Sequence, residues 1–159
     1  PVPASSDSTC CVRLYCRTWP VHKTGGYLLK ADASWQKALR CAQAALDKKA
    51  YDLVVLEVEA LTSVASYFVI CTGRSDIQVQ TISRTIEDAL RQEGIRPLAL
   101  EGVSHGQWVL LDYGDVVVHI FYETVREFYN LEGLWVKAPR RGLPEPYSTQ
   151  AMDLRLETA

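Results

Sequence analysis

The sequence predicts an α/β fold of the α+β kind. It should be a single domain with a mixed β-sheet and helices packed mainly on one face, in the order α-β-β-α-β-β-β-α. Three observations predict it. Two apolar runs, Trp108–Leu111 and Val116–Phe121, flank Asp112-Tyr113-Gly114-Asp115, which is a hairpin signal. Residues 76–93 carry apolar side chains at helical spacing between strand-like segments. A length of 159 residues with 48% apolar content is enough for one real core.

Taken in order, residues 1–33 differ from the rest. They hold Cys10, Cys11 and Cys16, scattered prolines and Gly25-Gly26, with little periodicity. They read as a disordered or non-family N-terminal extension, without the long apolar core of a secretory signal. Ser34–Ala50 reads as a helix capped by Ser34, with Trp35, Leu39, Ala42 and Leu46 in one stripe. Asp52–Val58 is a strand, and Glu59–Ser66 connects it to a second strand at Tyr67–Thr72, ending at Gly73. The helix Asp76–Glu93 has a capping box in Ser75 and Gln78, an apolar face of Ile77, Ile82, Ile86 and Leu90, and Gly94 for its C-terminal cap. A short strand, Pro97–Glu101, leads into the hairpin.

A turn centred on Tyr113-Gly114 would set Asp112 opposite Asp115, Leu110 opposite Val117 and Trp108 opposite His119. Alternation then makes one face of Val109, Leu111, Val116, Val118 and Ile120, an aliphatic set suited to lie under a helix. The other face holds Trp108, Leu110, Val117, His119 and Phe121, and its indole N–H and imidazole suit an interface. The alternative is that both faces are covered and His119 is a hydrogen-bonded core residue. A last helix is expected from a Thr124/Glu127 capping box through Val125, Phe128, Leu131 and Trp135. After it, Pro139, Arg140-Arg141-Gly142, Pro144 and Pro146 mark a C-terminal tail over 139–159.

The net charge of −2 disfavours a phosphate-binding surface, so little direct nucleic-acid contact is expected. No apolar run is long enough to span a membrane. Five cysteines, one in a predicted helix and one in a predicted strand, suit a reducing compartment. Chemistry is sparse. The strand–Gly73-Arg74-Ser75-Asp76–helix junction could hold an anion. A nucleotidyltransferase-like, metal-dependent enzyme would use Ser75 and Asp76 there, but needs a second carboxylate where Gln78 stands. Capping explains Ser75 and Asp76 more simply. Asp112 and Asp115 fit a turn, His22, His105 and His119 show no ligand spacing, and Cys71 reads as a small core residue. No catalytic, metal or cofactor site is expected.

The series Tyr67-Phe68-Val69-Ile70-Cys71-Thr72-Gly73, Ser75, Gln78-Val79, Glu101-Gly102, Trp108, Asp112-Tyr113-Gly114-Asp115, Val118-His119-Ile120-Phe121, Arg126, Tyr129, Leu131-Glu132 and Leu134-Trp135 resembles the ribosome silencing factor family, also called Iojap. The resemblance spans about residues 35–138, which sets a domain of 34–138, and departs at Ser66, where the family often has Asp. It implies a nucleotidyltransferase-like fold without the catalytic carboxylates. It implies a non-enzymatic translational repressor that binds the fourteenth large-subunit ribosomal protein, blocks joining of the small subunit and aids large-subunit biogenesis. It also implies a cytoplasmic, ribosome-associated protein rather than one of an organelle matrix. Carried over, Trp108 and Val109 match partner-contact positions, while Asp115, His119, Arg126 and Tyr129 match motif positions. With Leu110 and Val117 from the hairpin face, they form the expected partner-binding set; a homodimer through the same face is a further expectation.

Overall fold

The computed structural model describes residues 26–156. The expectations for residues 1–25, with Cys10, Cys11, Cys16 and His22, lie outside the described residues. The elements are α1 (Gly26–Asp47), β1 (Tyr51–Glu57), β2 (Tyr67–Gly73), α2 (Asp76–Gln92), β3 (Ala99–Glu101), β4 (Trp108–Asp112), β5 (Val116–Tyr122), α3 (Glu123–Tyr129), α4 (Leu131–Leu134), β6 (Arg140–Arg141) and α5 (Tyr147–Leu156). The strands form one six-stranded sheet in the order β3-β4-β5-β2-β1-β6.

The centre of the sheet follows from composition. β2 and β5, YFVICTG and VVVHIFY, are continuous apolar runs rather than alternating ones. Such runs suit strands covered on both faces, and these two pair in parallel at the middle, Tyr67 opposite Val116 through Gly73 opposite Tyr122. All other pairings are antiparallel. On one face, α1, α2 and α5 bury Val55, Val69, Cys71, Val109, Leu111, Val116, Val118 and Ile120. The mixed sheet with its main helical layer on one side is the architecture expected.

Local corrections have local causes. α1 is already helical at Gly26, the first described residue, and not only from Ser34; Leu28, Leu29, Lys30 and Ala31 are good helix formers. Ser34 lies inside α1, buried, and its hydroxyl donates to Asp115 Oδ2 at 2.6 Å instead of capping. The stripe is rotated too. Ala38, Cys41, Ala42, Ala45 and Leu46 are buried while Leu39 is only partly so. In α2 the Ser75 cap is present, accepting from Gln78 N at 3.1 Å, and Gly94 follows the end at φ +77°. Ile77 is 70% exposed, because the buried stripe starts two residues later at Val79 and continues through Ile82, Ile86 and Leu90.

The hairpin turns one residue later than expected. Gly114, at φ +86°, takes the first central position of the loop, and Tyr113 N donates to Val116 O at 2.9 Å. Asp112 therefore pairs with Val117, Leu110 with His119 and Trp108 with Phe121. A slip of two residues keeps each side chain on its expected face, since only odd slips exchange faces. The last helix is broken in two. β5 runs into α3 with Tyr122 at the cap and no side-chain cap, and Asn130, left-handed at φ +40°, separates α3 from α4. Asn is among the few residues that adopt this conformation readily. Phe128, expected on a buried stripe, is 81% exposed as a result. Beyond it, β6 adds two edge residues opposite Val55 and Leu56, and α5 packs back on β1 and α1.

Candidate partner-binding face

The sheet face away from α1 and α2 is covered unevenly. Over β1, β2 and the centre of β5 lie α3, α4 and the chain through Ala138, which close Val54, Leu56, Phe68, Ile70, Val117 and Phe121 from water. That cover thins out over β4, where Trp108 and Leu110 are half-buried. Trp108 stacks on Phe121 at 5.0 Å and 26°, and Tyr129 from the end of α3 meets its ring at 5.0 Å. His119 lies beneath this pair, buried. Its Nδ1 accepts the Trp108 indole N–H at 3.3 Å, and its ring meets Phe68 edge-on at 5.3 Å. Burial pushes the His119 pKa down to about 4, so the imidazole is neutral at physiological pH. A neutral ring accepting at Nδ1 carries its proton on Nε2.

Around this core stands an exposed apolar rim. Tyr129 is 50% exposed, Leu134 76% and Val136 79%, and Phe128 packs edge-on against Tyr129 at 5.1 Å. One side of the molecule thus presents aromatic and aliphatic surface held by a buried aromatic stack. That is the composition of the centre of a protein interface.

A family model described as ribosomal silencing factor during starvation matches residues 31–158. The chain belongs to the ribosomal silencing factor family. It is 49% identical over 102 residues to the ribosomal silencing factor of Bacillus subtilis, covering 64% of this chain and 86% of that protein. It is 38% identical over 107 residues to the chloroplastic Iojap protein of Zea mays, covering 67% of this chain and 46% of that protein. A crystal structure of a Chromobacterium violaceum protein superposes with a TM-score of 0.61 at 32% identity, covering 73% of this chain and 89% of that one.

Of the residues expected to form the partner site, Trp108, Leu110, Val117, His119 and Tyr129 share one face. Val117 and His119 form its floor, each only 6% exposed. Val109 points the other way and is fully buried under the helices. Asp115 lies at the hairpin turn, bonded to Ser34 and ion-paired to Lys37 of α1. Partial burial pushes its carboxyl pKa up, but the bonds from Lys37 and Ser34 and the Lys37 charge outweigh that and hold it below the usual range.

Arg126 is buried, and its guanidinium faces inward. Nη1 donates to Asp52 O and to Thr72 Oγ1, each at 2.6 Å, while Nη2 pairs with Glu132 and lies 3.3 Å from Asp52 Oδ2. Arg126 O accepts from Asn130 N at 2.9 Å, and Asp52 is left-handed at φ +48°. One guanidinium therefore ties β1, β2, α3 and α4 together at the corner that carries Tyr129. In this structure its guanidinium is spent on these internal bonds. Sequence reasoning missed its partners Asp52, Thr72 and Glu132, which share no short-range spacing with it. It also missed the exposed rim of Phe128, Leu134 and Val136, whose one available signal was Asn130.

The junction weighed as an enzyme site is occupied by backbone capping. Asp76 Oδ1 accepts its neighbour Ile77 N at 2.8 Å. Gln78 donates to Lys48 O and Lys49 O and accepts from Arg74 N, so its side chain is used up in holding the α1–β1 loop to α2. Among the described residues no three His, Cys, Asp or Glu side chains gather as metal ligands. Cys41 and Cys71 are fully buried, and burial raises both thiols to about 12, which keeps them protonated and unreactive.

Proposed function

We propose that this chain docks, through the face around Trp108 and Tyr129, on the fourteenth ribosomal protein of the large subunit. Docked there, it keeps the small subunit from joining and so represses translation; a part in large-subunit biogenesis belongs to the same reading. The observation that carries the proposal is the half-buried Trp108 between Phe121 and the exposed Tyr129, on a side of the sheet that the helical layer leaves free. Central aromatic residues seated this way dominate binding energies at protein interfaces. A net charge of −2 suits contact with a ribosomal protein better than with bare RNA.

The role proposed is non-catalytic, without metal or cofactor. Support comes from Ser75, Asp76 and Gln78, whose polar atoms serve the helix and the neighbouring loop. The place of action proposed is the cytoplasm, on ribosomes, with an organelle matrix as the alternative raised by the chloroplastic relative. Self-association through the same face would compete with docking.

Sedimentation of purified subunits tests the proposal. With the protein at saturation the subunits are expected to run apart under ionic conditions that otherwise join them; unchanged formation of whole ribosomes would overturn it.

A further inference from the structure

The helices that carry the aromatic corner are short, α3 of seven residues and α4 of four. Helices under about 12 residues are marginal on their own in water, so tertiary ties set their placement. Neither has a side-chain cap at its start, and the left-handed Asn130 breaks the chain between them. Tyr129 is the last residue of α3, directly before that break. Its ring, 50% exposed, leans on Trp108 at 5.0 Å and on Phe128 at 5.1 Å. The angle between α3 and α4 therefore decides where Tyr129 sits.

Arg126 fixes that angle from the inside. It lies three residues before Tyr129 and Glu132 lies three after, so the bond between its guanidinium and Glu132 spans the break. The other Nη hydrogens reach the sheet. Nη1 donates to Asp52 O of β1 and Thr72 Oγ1 of β2, each at 2.6 Å, and Nη2 faces Asp52 Oδ2 at 3.3 Å. A guanidinium has five N–H donors in a rigid fork, and the four on Nη1 and Nη2 are used in this way. Charge-assisted bonds from a planar fork hold orientation more strictly than apolar contact does. Arg126 is only 7% exposed, so a partner on this corner meets the Tyr129 ring and not the charge beneath it.

We propose that Arg126 is a positioning residue for the aromatic face. It holds the Tyr129 ring on Trp108 by fixing the α3–α4 corner, and it acts on a docking partner only through Tyr129. The second statement rests on the docking reading above; the first is a property of the free chain.

The full chain, isotope-labelled at the tryptophan indole nitrogens, tests both. The Trp108 resonance is identified by its loss in Trp108→Phe. Arg126→Lys keeps a cation but cannot serve β1, β2 and Glu132 together. Glu132→Gln removes the charge across the break with little change of shape. Each is expected to move the Trp108 resonance toward its position in Tyr129→Ala, while Trp35, packed on the opposite layer, stays in place. In the Tyr129→Ala background Arg126→Lys should move it no further. An arginine that adds only stability would leave the Trp108 resonance of the folded variants where it is. Affinity for the purified ribosomal protein should follow the same pattern. Arg126→Lys is expected to weaken binding about tenfold in the wild-type background and to leave that of Tyr129→Ala unchanged, as coupled neighbours do. Melting curves identify the folded variants, and Glu132→Gln carries the test where Arg126→Lys does not fold. The proposal is overturned if the Trp108 resonance of the folded variants is unmoved. It is also overturned if Arg126→Lys weakens Tyr129→Ala tenfold as well, which would make the guanidinium a direct contact. Absence of wild-type binding would sink the docking reading alone, and the resonance would still decide whether Arg126 sets the corner.

Discussion

Val109 and Trp108 are neighbours on β4 that face opposite layers of the molecule. Val109 is fully buried in the core on the side of the sheet that α2 covers. Trp108 sits among aromatic rings under a corner that stops short of covering it. The helical layer is continuous and mainly aliphatic, with Tyr51, Tyr67 and Tyr113 among its buried residues, and it stabilises the fold through burial. The opposite layer is assembled from short helices, a left-handed Asn130 and a buried guanidinium, and it leaves apolar surface in water. In the proposed reading one strand serves stability on one face and recognition on the other, and substitutions should separate the two.

The largest effect is expected at the clamp. Arg126→Met leaves Glu132 and Asp52 without their cation and Thr72 without its donor. Removing one partner of a buried ion pair costs about 3–5 kcal/mol, read as a lower denaturation midpoint. A silent substitution would mean that the corner is held by packing alone.

Acid should act on the same layer next. The folded pKa of His119, about 4, lies below the ordinary value of 6.5, so the unfolded chain takes up the proton first. The stability from the neutral ring is fully present above pH ~6.5 and is lost as pH falls toward 4, on the order of 3 kcal/mol. Protonation would also put a proton on Nδ1, where the Trp108 indole N–H now donates. Denaturation midpoints of wild type and His119→Gln across that range should converge in acid; parallel curves would place the titration elsewhere.

Val109→Ala should cost about 2 kcal/mol of stability through lost methyl burial and the space left behind. The smallest effect is expected at the hairpin turn. Lys37→Gln removes a partly exposed pair with Asp115 and should cost under about 1 kcal/mol, since Ser34 still donates to the carboxylate. Thermal melts rank the two, and a reversed order would mean that the turn, not the core, fastens α1 to the sheet.

The same contrast shows what the sequence carried. The helical layer was legible because burial writes itself as period: β2 and β5 as unbroken apolar runs, and α2 as a capped amphipathic stripe. The faces of the hairpin were legible as well, although its register was two residues off, because alternation survives an even slip while Gly114 decides where the turn falls. The aromatic layer was legible only as a set of residues. Trp108, His119 and Tyr129 stood out by type, but their union rests on the break at Asn130 and on bonds from Arg126 to Asp52 and Thr72, 74 and 54 positions away. Contacts over such distances leave no local pattern. The same limit hid the edge strand β6 and helix α5 behind a run of prolines that reads as a tail.

Affinity for the purified fourteenth large-subunit ribosomal protein, measured by calorimetry for wild type, Trp108→Ala and Val109→Ala, tests the division of labour most directly. Trp108→Ala should bind weaker by about 2 kcal/mol or more, as loss of a central aromatic anchor does, with a smaller stability cost from its lost ring contacts with Phe121 and Tyr129. Val109→Ala should bind as wild type does despite its lower melting temperature. Equal affinity for folded Trp108→Ala and wild type, or weakened binding by Val109→Ala alone, would contradict the assignment of recognition to the aromatic face.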